Sequence, residues 1–243
     1  MIPKIIYQVS IGLNHTHELI QKQIEKTKVL NKNYDYKLIT TENEMDDFVN
    51  ENYKGEIADC YNMLNILVAK VDFWRYLILY KYGGIYLDMD SSINLPLDNL
   101  IRDDDESIIT AESILELYVQ WALIFNKNHP ILKKTIELIV DNIKKNKFPN
   151  DIHKMTGPTV YTNAINTIHS QLFNNNINHK LINVYTDITF KSNCISYRLY
   201  NRDYGNYFSF NYPESYILFI GKKKWTQQQR EIPLLRKPFI NNK

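Results

Sequence analysis

The chain has few of the residues that mark exported, fibrous or membrane proteins. Only two cysteines, Cys60 and Cys194, occur in 243 residues, which is typical of a protein in a reducing compartment. The low count of seven glycines argues against a loop-rich or repeat architecture. No segment reaches the ~18 continuous apolar residues of a membrane span, and the N-terminal residues lack the apolar run of a signal peptide. We therefore expect a cytoplasmic protein without a transmembrane segment.

Charge of one sign is also scarce, because the formal net charge is only +2. A balance this small does not predict nucleic-acid binding. Apolar residues make up 44% of the chain and aromatic residues 13%, which is enough to bury a sizeable core. Predicted strands and helices alternate through the first 90 residues, and this order indicates an α/β fold.

The most informative stretch begins with a helix. Residues 64–82 contain neither proline nor glycine and are largely apolar, which predicts a buried helix that ends at Gly83 and Gly84. Asp72 and Arg75 are three positions apart and therefore share one face of this helix. A charged pair on so apolar a helix gains little for folding beyond mutual neutralisation, so it indicates a functional site.

A strand is predicted directly after the two glycines. Residues 85–90 alternate, which places Tyr86, Asp88 and Asp90 on one face of that strand. Two carboxylates at one strand end repel each other unless a cation lies beside them. The end of this strand is therefore a candidate cation site.

This stretch resembles the core of the DXD-containing sugar transferases of glycosyltransferase family 32, and it is similar to the glucosylating domain of large clostridial toxins. The matching residues are Ala69, Asp72, Arg75, Tyr76, Gly83, Gly84, Tyr86, Asp88 and Asp90. A whole set at this spacing is far more specific than an isolated Asp-x-Asp.

The resemblance implies a GT-A type fold, with a Rossmann-like mixed sheet flanked by helices and a helical and C-terminal loop subregion. It implies a single domain over 1–243, in which 1–110 bind the nucleotide sugar and 111–243 form the acceptor-side half and a C-terminal lid. The implied reaction is metal-dependent and retaining. It moves a sugar from a nucleotide-diphosphate sugar to a glycan or lipid-linked glycan acceptor, of surface or capsular polysaccharide type.

The same resemblance assigns roles within the motif. Asp72, Arg75, Asp88 and Asp90 would be the catalytic residues, and Asp90 would bind Mn²⁺ or Mg²⁺ directly. Asp88 would bind that metal through water, or would contact the sugar or the ribose. Asp72 and Arg75 would bind hydroxyls of the donor sugar.

Further nucleotide-sugar contacts are implied at the first strand and at the third. The N-terminal residues Ile-Pro-Lys-Ile-Ile match the family's opening, although Tyr7 replaces its usual His. The end of the first strand of such a sheet faces the nucleotide. Tyr7, Gln8 and Val9 would therefore lie against the base and ribose, with Gly84 and Tyr86 nearby. A plain buried strand is the alternative, particularly for Val9.

Two distant segments complete the resemblance. Thr156, Gly157 and Pro158 match a family Thr-Gly-Pro motif, where a helix start would offer free N–H groups to a substrate. The alternative is a simple helix start. Trp225 matches a family tryptophan, and Lys224 beside it would neutralise the leaving diphosphate. The histidine that precedes this tryptophan in the family is absent here.

The C-terminal segment is basic. Its cations are Lys222, Lys223, Lys224, Arg230, Arg236 and Lys237, against a single Glu231. A mobile loop that closes over the diphosphate is one interpretation. A solvated tail in peripheral contact with anionic lipid is the other.

Local signals predict the remaining elements. We expect helices from Thr16 to Leu30, from a Thr41 capping box to Asn52, from residue 56 to 82 in one or two pieces, and from Asn128 to Lys147. We expect strands at 4–9, 34–39, 107–111, 181–185 and 216–220, a polar exit loop at 91–94, a solvated acidic loop at 103–106, a turn at 174–178, and a hairpin over 197–216 with Gly205 at its turn. Residues 118–125 fit either a strand or a helix.

Other functional hypotheses stay open at this stage. The chain is also compatible with a protein that binds sugar nucleotides without turnover, since Tyr7 and the missing histidine depart from the family. A transferase with a protein acceptor and a simple Ca²⁺ or Mg²⁺ module are further alternatives. The last of these leaves the pairing of Asp72 with Arg75 unexplained.

Overall fold

A seven-stranded mixed sheet organises the chain. The computed structural model describes residues 1–113, 116–174, 177, 182–183 and 185–236. The strands are β1 (Ile5–Val9), β2 (Asp35–Ile39), β3 (Gly84–Leu87), β4 (Ser91–Ile93), β5 (Ser107–Ile109), β6 (Ala122–Phe125), β7 (Asp187–Lys191), β8 (Ser196–Tyr200) and β9 (Phe208–Phe210). The helices are α1 (Glu18–Leu30), α2 (Glu42–Asn52), α3 (Glu56–Met63), α4 (Leu67–Tyr82), α5 (Pro130–Lys144), α6 (Ile152–Met155), α7 (Pro158–Phe173) and α8 (Trp225–Glu231).

The strand order determines which loops meet. The sheet runs β2-β1-β3-β6-β5-β8-β7, and β4 pairs with β9 in a separate ribbon. β1 is parallel to β2 and β3, while β6 is antiparallel to both β3 and β5. β5 is in turn parallel to β8. The carboxyl ends of β1, β3, β5 and β8 therefore open on one edge, where ligands of such sheets bind. This arrangement confirms the predicted mixed sheet flanked by helices.

Helix α4 lies in the largest of three hydrophobic clusters in the described residues, and it packs against α5 and β3. Phe73, Trp74, Tyr76 and Leu77 are each at most 1% exposed. Helices α3, α5 and α7 contribute to the same cluster, so the middle of α4 is buried, whereas Lys81 and Tyr82 in its last turn are exposed. A charge in the middle of this helix therefore needs a protein partner.

The glycines after α4 bring β3 close to β1. Gly84 has a φ of +108°, and a Cβ there would lie 2.7 Å from the carbonyl oxygen of Ile5. Only glycine fits both the backbone conformation and the contact. This close approach aligns the carboxyl ends of β1 and β3.

Several predicted elements are confirmed with small shifts. Thr41 and Glu44 form the predicted capping box at the start of α2. Helix α1 ends at Leu30 as predicted, although its N-cap is His17 rather than Thr16. Helix α5 is likewise capped by His129 and not by Asn128. Residues 118–125 contain the strand β6.

The structure differs from the sequence-based expectation at β4 and in the segments after β7. Residues 91–93 are not an exit loop, since they form β4 and pair with β9. The predicted hairpin over 197–216 is wrong, because β8 pairs with the preceding β7 and with β5. Residues 215–219 form a 3-10 helix rather than a strand. The predicted turn at 174–178 and strand at 181–185 lie partly outside the described residues. Lys237 lies outside them.

The acidic run at 103–106 is not uniformly solvated. Asp105 is only 5% exposed and accepts two hydrogen bonds from Arg198, at 2.9 and 2.6 Å. The same guanidinium donates to the carbonyl oxygen of Leu100 at 2.5 Å. The pair fixes the start of β5 to β8. Within the described part of the chain, we find no helix with the length and hydropathy to cross a membrane.

Candidate functional site

The two aspartates of the motif lie in a tight turn just beyond β3. The strand ends at Leu87, and the backbone N–H of Ser91 donates to the carbonyl oxygen of Asp88 at 3.0 Å. The N–H of Asp88 donates to the carbonyl oxygen of Trp121 at 2.8 Å. The predicted strand over 85–90 is therefore too long by three residues, since the backbone of Asp88 is diverted into the turn. Both carboxylates remain half-buried at the open edge of the sheet.

Arg75 links the helix to this turn. Its guanidinium lies 3.0 Å from Oδ1 of Asp72 and 3.2 Å from Oδ1 of Asp88. It also donates to the carbonyl oxygen of Gln120 at 3.2 Å, and it stacks 4.5 Å from the ring centroid of Tyr86. Arg75 is 4% exposed. One buried cation therefore holds both predicted carboxylates in place.

The carboxylate of Asp72 is buried among polar groups. Gln120 Nε2 donates to its Oδ1 and Thr156 Oγ1 to its Oδ2, each at 3.3 Å. Burial raises the pKa of Asp72 to about 6, the cation of Arg75 opposes this rise, and the charge of Asp88 adds to it. An ionised Asp72 is therefore costly for the fold.

Asp90 is half-buried in the same turn. Burial, and next the negative charge of Asp88, raise the pKa of Asp90 to about 7. A cation beside both carboxylates would reverse the repulsion and favour the ionised form. Hard divalent cations prefer such oxygen ligands. In the part of the chain that the structure describes, no three His, Cys, Asp or Glu side chains gather into a metal centre. The two aspartates thus fit a cation that takes its other ligands from phosphate and water.

The other residues predicted to bind the nucleotide have differing environments. Tyr86 donates from its hydroxyl to Oδ1 of Asp88 at 2.8 Å, so it belongs to the cluster. Gln8 Nε2 donates to the carbonyl oxygen of Asp88 at 3.1 Å. Tyr7 is 2% exposed and packs edge-on against Trp74, with ring centroids 6.3 Å apart. Val9 is also a core residue. The structure gives these two side chains packing roles, as it does Gly84.

The Thr-Gly-Pro segment lies beside the cluster. Thr156 contacts Asp72, as described above, and Gly157 is the N-cap of α7 with Pro158 in its first turn. A Cβ on Gly157 would lie 2.9 Å from Cα of His153. The loop therefore reaches the buried carboxylate through Thr156.

The C-terminal segment is attached to the same loop. The ring of Trp225 stacks on His153, with centroids 5.5 Å apart and an interplanar angle of 20°. Gln229 accepts a hydrogen bond from the backbone N–H of Ile152 at 3.1 Å. Lys224 is exposed, and among the described residues it makes no ion pair. The structure thus brings Trp225 to the Thr156 loop but does not bring Lys224 to the carboxylates.

Gln120 is a site residue that the sequence did not reveal. Its Nε2 donates to the hydroxyl of Tyr76 at 2.7 Å as well as to Asp72, and its carbonyl oxygen accepts from Arg75. It is only 6% exposed. A single glutamine before a strand carries no local signal, because its role depends on the antiparallel pairing of β6 with β3.

Comparisons with known proteins agree with this geometry. Residues 18–107 match the family described as "Glycosyltransferase sugar-binding region containing DXD motif". The chain is 34% identical to "Inositol phosphoceramide mannosyltransferase 3" of Schizosaccharomyces pombe, over 56% of this chain and 36% of that protein. It is 27% identical to "Initiation-specific alpha-1,6-mannosyltransferase" of Candida albicans, over 55% and 44%. It is 30% identical to "Uncharacterized glycosyltransferase L373" of Acanthamoeba polyphaga mimivirus, over 65% and 61%.

The structural comparison supports the fold. The "PaToxG Glycosyltransferase" superposes with a TM-score of 0.57 at 20% identity, over 71% of this chain and 72% of that one. The chain spans between 36% and 61% of the lengths of the three curated relatives named above. The DXD sequence Asp88-Met89-Asp90 falls inside the matched family region. Residues 18–107 therefore resemble the sugar-binding region of DXD-containing glycosyltransferases, and the fold of the chain is of GT-A type.

Proposed function

We propose that the chain transfers a sugar from a nucleotide-diphosphate sugar to a glycan or lipid-linked acceptor, with retention of anomeric configuration. The observation that carries this proposal is the convergence of Asp72, Arg75 and Asp88 beside Asp90 at the carboxyl edge of β3. Such an arrangement costs the fold free energy, so it requires a functional reason.

The residues of the cluster suit separate tasks in that reaction. Asp90 would bind Mn²⁺ or Mg²⁺. Asp88 would keep its ion pair with Arg75 and would bind the same ion through water. A divalent ion there would neutralise charge on the departing diphosphate. Asp72 and Arg75 would supply an acceptor and a donor to sugar hydroxyls. Fixing the sugar in this way contributes by orientation rather than by covalent chemistry.

Transfer with retention needs no protein nucleophile in this site. The bond between the anomeric carbon and the diphosphate breaks, and the acceptor oxygen bonds to the same face of that carbon. The departing phosphate oxygen takes the acceptor's proton. The role of the protein is then to hold donor and acceptor on one side and to exclude water.

The named relatives suggest which sugar to test first. Two of the three are mannosyltransferases by name, and one of those names includes inositol phosphoceramide. We therefore propose mannose as the first sugar to test. A lipid-linked acceptor is as compatible with these names as a polysaccharide.

Release of nucleoside diphosphate tests the proposal. The purified chain would be incubated with Mn²⁺ and a panel of uridine- and guanosine-diphosphate sugars that includes mannose. We expect release from at least one donor. Asp90→Asn should lower this activity on the order of 100-fold, because it replaces the charged oxygen ligand of the cation by a neutral one. Asp104→Asn is the matched control, since Asp104 is an exposed carboxylate outside the site. Its activity should stay within about twofold of the wild type.

Two outcomes would replace the proposal. No release from any donor, combined with a donor-induced rise in Tm, would indicate a protein that binds sugar nucleotides without turnover. Equal loss in Asp90→Asn and Asp104→Asn would separate the activity from the motif. Proton NMR of the product would decide the anomeric configuration.

A further inference from the structure

An exposed apolar patch lies on the 3-10 helix Ser215–Phe219 and the residue after it. Tyr216 is 67% exposed, Phe219 45% and Ile220 59%. Positions three apart in a 3-10 helix eclipse one another, so Tyr216 and Phe219 lie on the same face. Ile217 and Leu218, in contrast, are at most 4% exposed. The segment is thus anchored by two residues while three others, here called the apolar patch, face solvent.

Cations follow the apolar patch directly. Lys222, Lys223 and Lys224 are all exposed, and Lys223 pairs with Glu231. Lys222 and Lys224 make no ion pair within the part of the chain that the structure describes. Over 211–224 the sequence holds one carboxylate, Glu214. The surface is therefore apolar and positive, although the whole chain is nearly neutral.

The patch is rigidly attached to the fold. Asn14 Nδ2 donates to the carbonyl oxygen of Ile217 at 2.9 Å, and the backbone N–H of Asn14 donates to that of Leu218 at 3.2 Å. The buried side packs with Ile20 and Ile24 of α1. The apolar patch therefore stays exposed in the folded chain, since the exposed side chains cannot turn inward without breaking these contacts.

The segment that carries the apolar patch also packs against the turn that contains Asp88 and Asp90. Met89, between the two aspartates, packs in the same cluster as Ile217 and Leu218. The backbone N–H of Tyr212 donates to the carbonyl oxygen of Asp90 at 3.2 Å. Whatever binds the patch is therefore held close to the candidate donor site.

We propose that the apolar patch and the lysines after it dock on an anionic membrane surface. Aromatic side chains favour the boundary between headgroups and acyl chains, and lysines beside them are attracted to anionic lipid. Lys222 and Lys224 pair with no carboxylate of the described residues, so they are available to the negative headgroups of such a membrane. Docking would keep the DXD turn at the membrane, within reach of an acceptor anchored in lipid. That last consequence rests on the proposed function, whereas the docking does not.

Vesicle binding tests the docking without any donor or metal. The chain would be sedimented with vesicles of phosphatidylcholine alone and of phosphatidylcholine with one third phosphatidylserine, at low and high salt. We expect binding to the anionic vesicles at low salt and weaker binding at high salt, because salt screens the lysines. Phe219→Ser combined with Ile220→Ser should weaken binding at least about tenfold, and Lys222→Glu more than about fivefold.

Matched controls lie on other faces of the fold. Ile188→Ser removes an exposed apolar side chain from β7 at the far edge of the sheet, and Lys133→Glu reverses an exposed charge on α5. Neither should change vesicle binding by more than about twofold. Absence of binding to anionic vesicles, or equal losses in patch and control variants, would overturn the proposal. A dimer in solution that the Phe219 and Ile220 change converts to a monomer would assign the patch to a second copy instead. Because no donor is present, failure here leaves the test of sugar transfer unaffected.

Discussion

Replacing Asp72 by asparagine should stabilise the fold while it abolishes activity. The pKa of Asp72 rises from 3.8 to about 6, chiefly by burial and despite the opposing charge of Arg75. At 1.36 kcal/mol per pKa unit, ionisation in the folded chain therefore costs about 3 kcal/mol more than in the unfolded chain. Asparagine keeps the volume, accepts from Gln120 through its Oδ1 and donates to the oxygen of Thr156. Above pH 6 the variant should gain part of that free energy.

The sign of the pH dependence makes this prediction specific. The folded wild type binds the extra proton between pH 4 and pH 6, so its stability falls as the pH rises through that window. The advantage of Asp72→Asn should therefore be small at pH 4.5 and largest at pH 8, at up to about 3 kcal/mol. Urea unfolding of both proteins at pH 4.5, 6 and 8 measures it, provided that the m-values agree.

A second buried carboxylate gives the opposite expectation from the same substitution. Asp105 accepts two hydrogen bonds from Arg198, so Asp105→Asn should cost about 3 kcal/mol by leaving a buried cation poorly paired. If Asp72→Asn were destabilising by the same amount at every pH, Asp72 would be a structural partner of Arg75. The interpretation of a functional charge held at the expense of stability would then be wrong.

Three further predictions concern the backbone, a buried histidine and Gln120. Gly84→Ala should lower the free energy of unfolding by about 2 kcal/mol or more, because the new Cβ would clash with Ile5. Urea unfolding measures this loss. Burial lowers the pKa of His129 to about 4, so about 3 kcal/mol of stability should be lost as pH falls from 6.5 towards 4, and His129→Gln should remove that dependence in thermal unfolding scans. Gln120→Leu should lower kcat for donor hydrolysis about tenfold or more by releasing Asp72.

The local parts of the fold could be predicted from local signals. The Thr41 capping box and the α4 stop at Gly83 each depend on residues within one helical turn. Pairing between distant segments has no such signal. The sequence therefore predicts a hairpin over 197–216, whereas β9 pairs with β4. The apolar residues of 216–220 predict a strand, whereas residues 215–219 form a 3-10 helix. Their buried and exposed side chains follow the three-residue period of a 3-10 helix and not the two-residue period of a strand.

The motif residues of the site could be predicted, but their partners could not. Asp72 and Arg75 share a helix face, and the structure shows them 3.0 Å apart. Their contacts with Asp88, Gln120 and Thr156 come from strand pairing and from the packing of α6, over separations of 13 to 84 residues. The division of the chain into a nucleotide-binding half and an acceptor half stays a prediction.

The resemblance predicts nucleotide contacts for Tyr7, Gln8 and Val9 of β1, but these three side chains do not share one face of the strand. Tyr7 and Val9 face the core around Trp74, while Gln8 lies on the other face and reaches the carbonyl oxygen of Asp88. Side chains alternate along a strand, so only one of the two sets can line a site at the sheet edge. A nucleotide contact of Tyr7, Gln8 or Val9 stays a prediction.

The most direct test of the donor site is the change in Tm on adding nucleotide sugars with and without Mn²⁺. Ligands that bind only the folded state raise Tm, by an amount that grows with their concentration relative to Kd. The proposed site predicts a rise for at least one uridine- or guanosine-diphosphate sugar that depends on Mn²⁺ and disappears in Asp90→Asn. A rise that is unchanged in Asp90→Asn, or no rise with any donor of either class, would contradict a donor site at the Asp88–Asp90 turn.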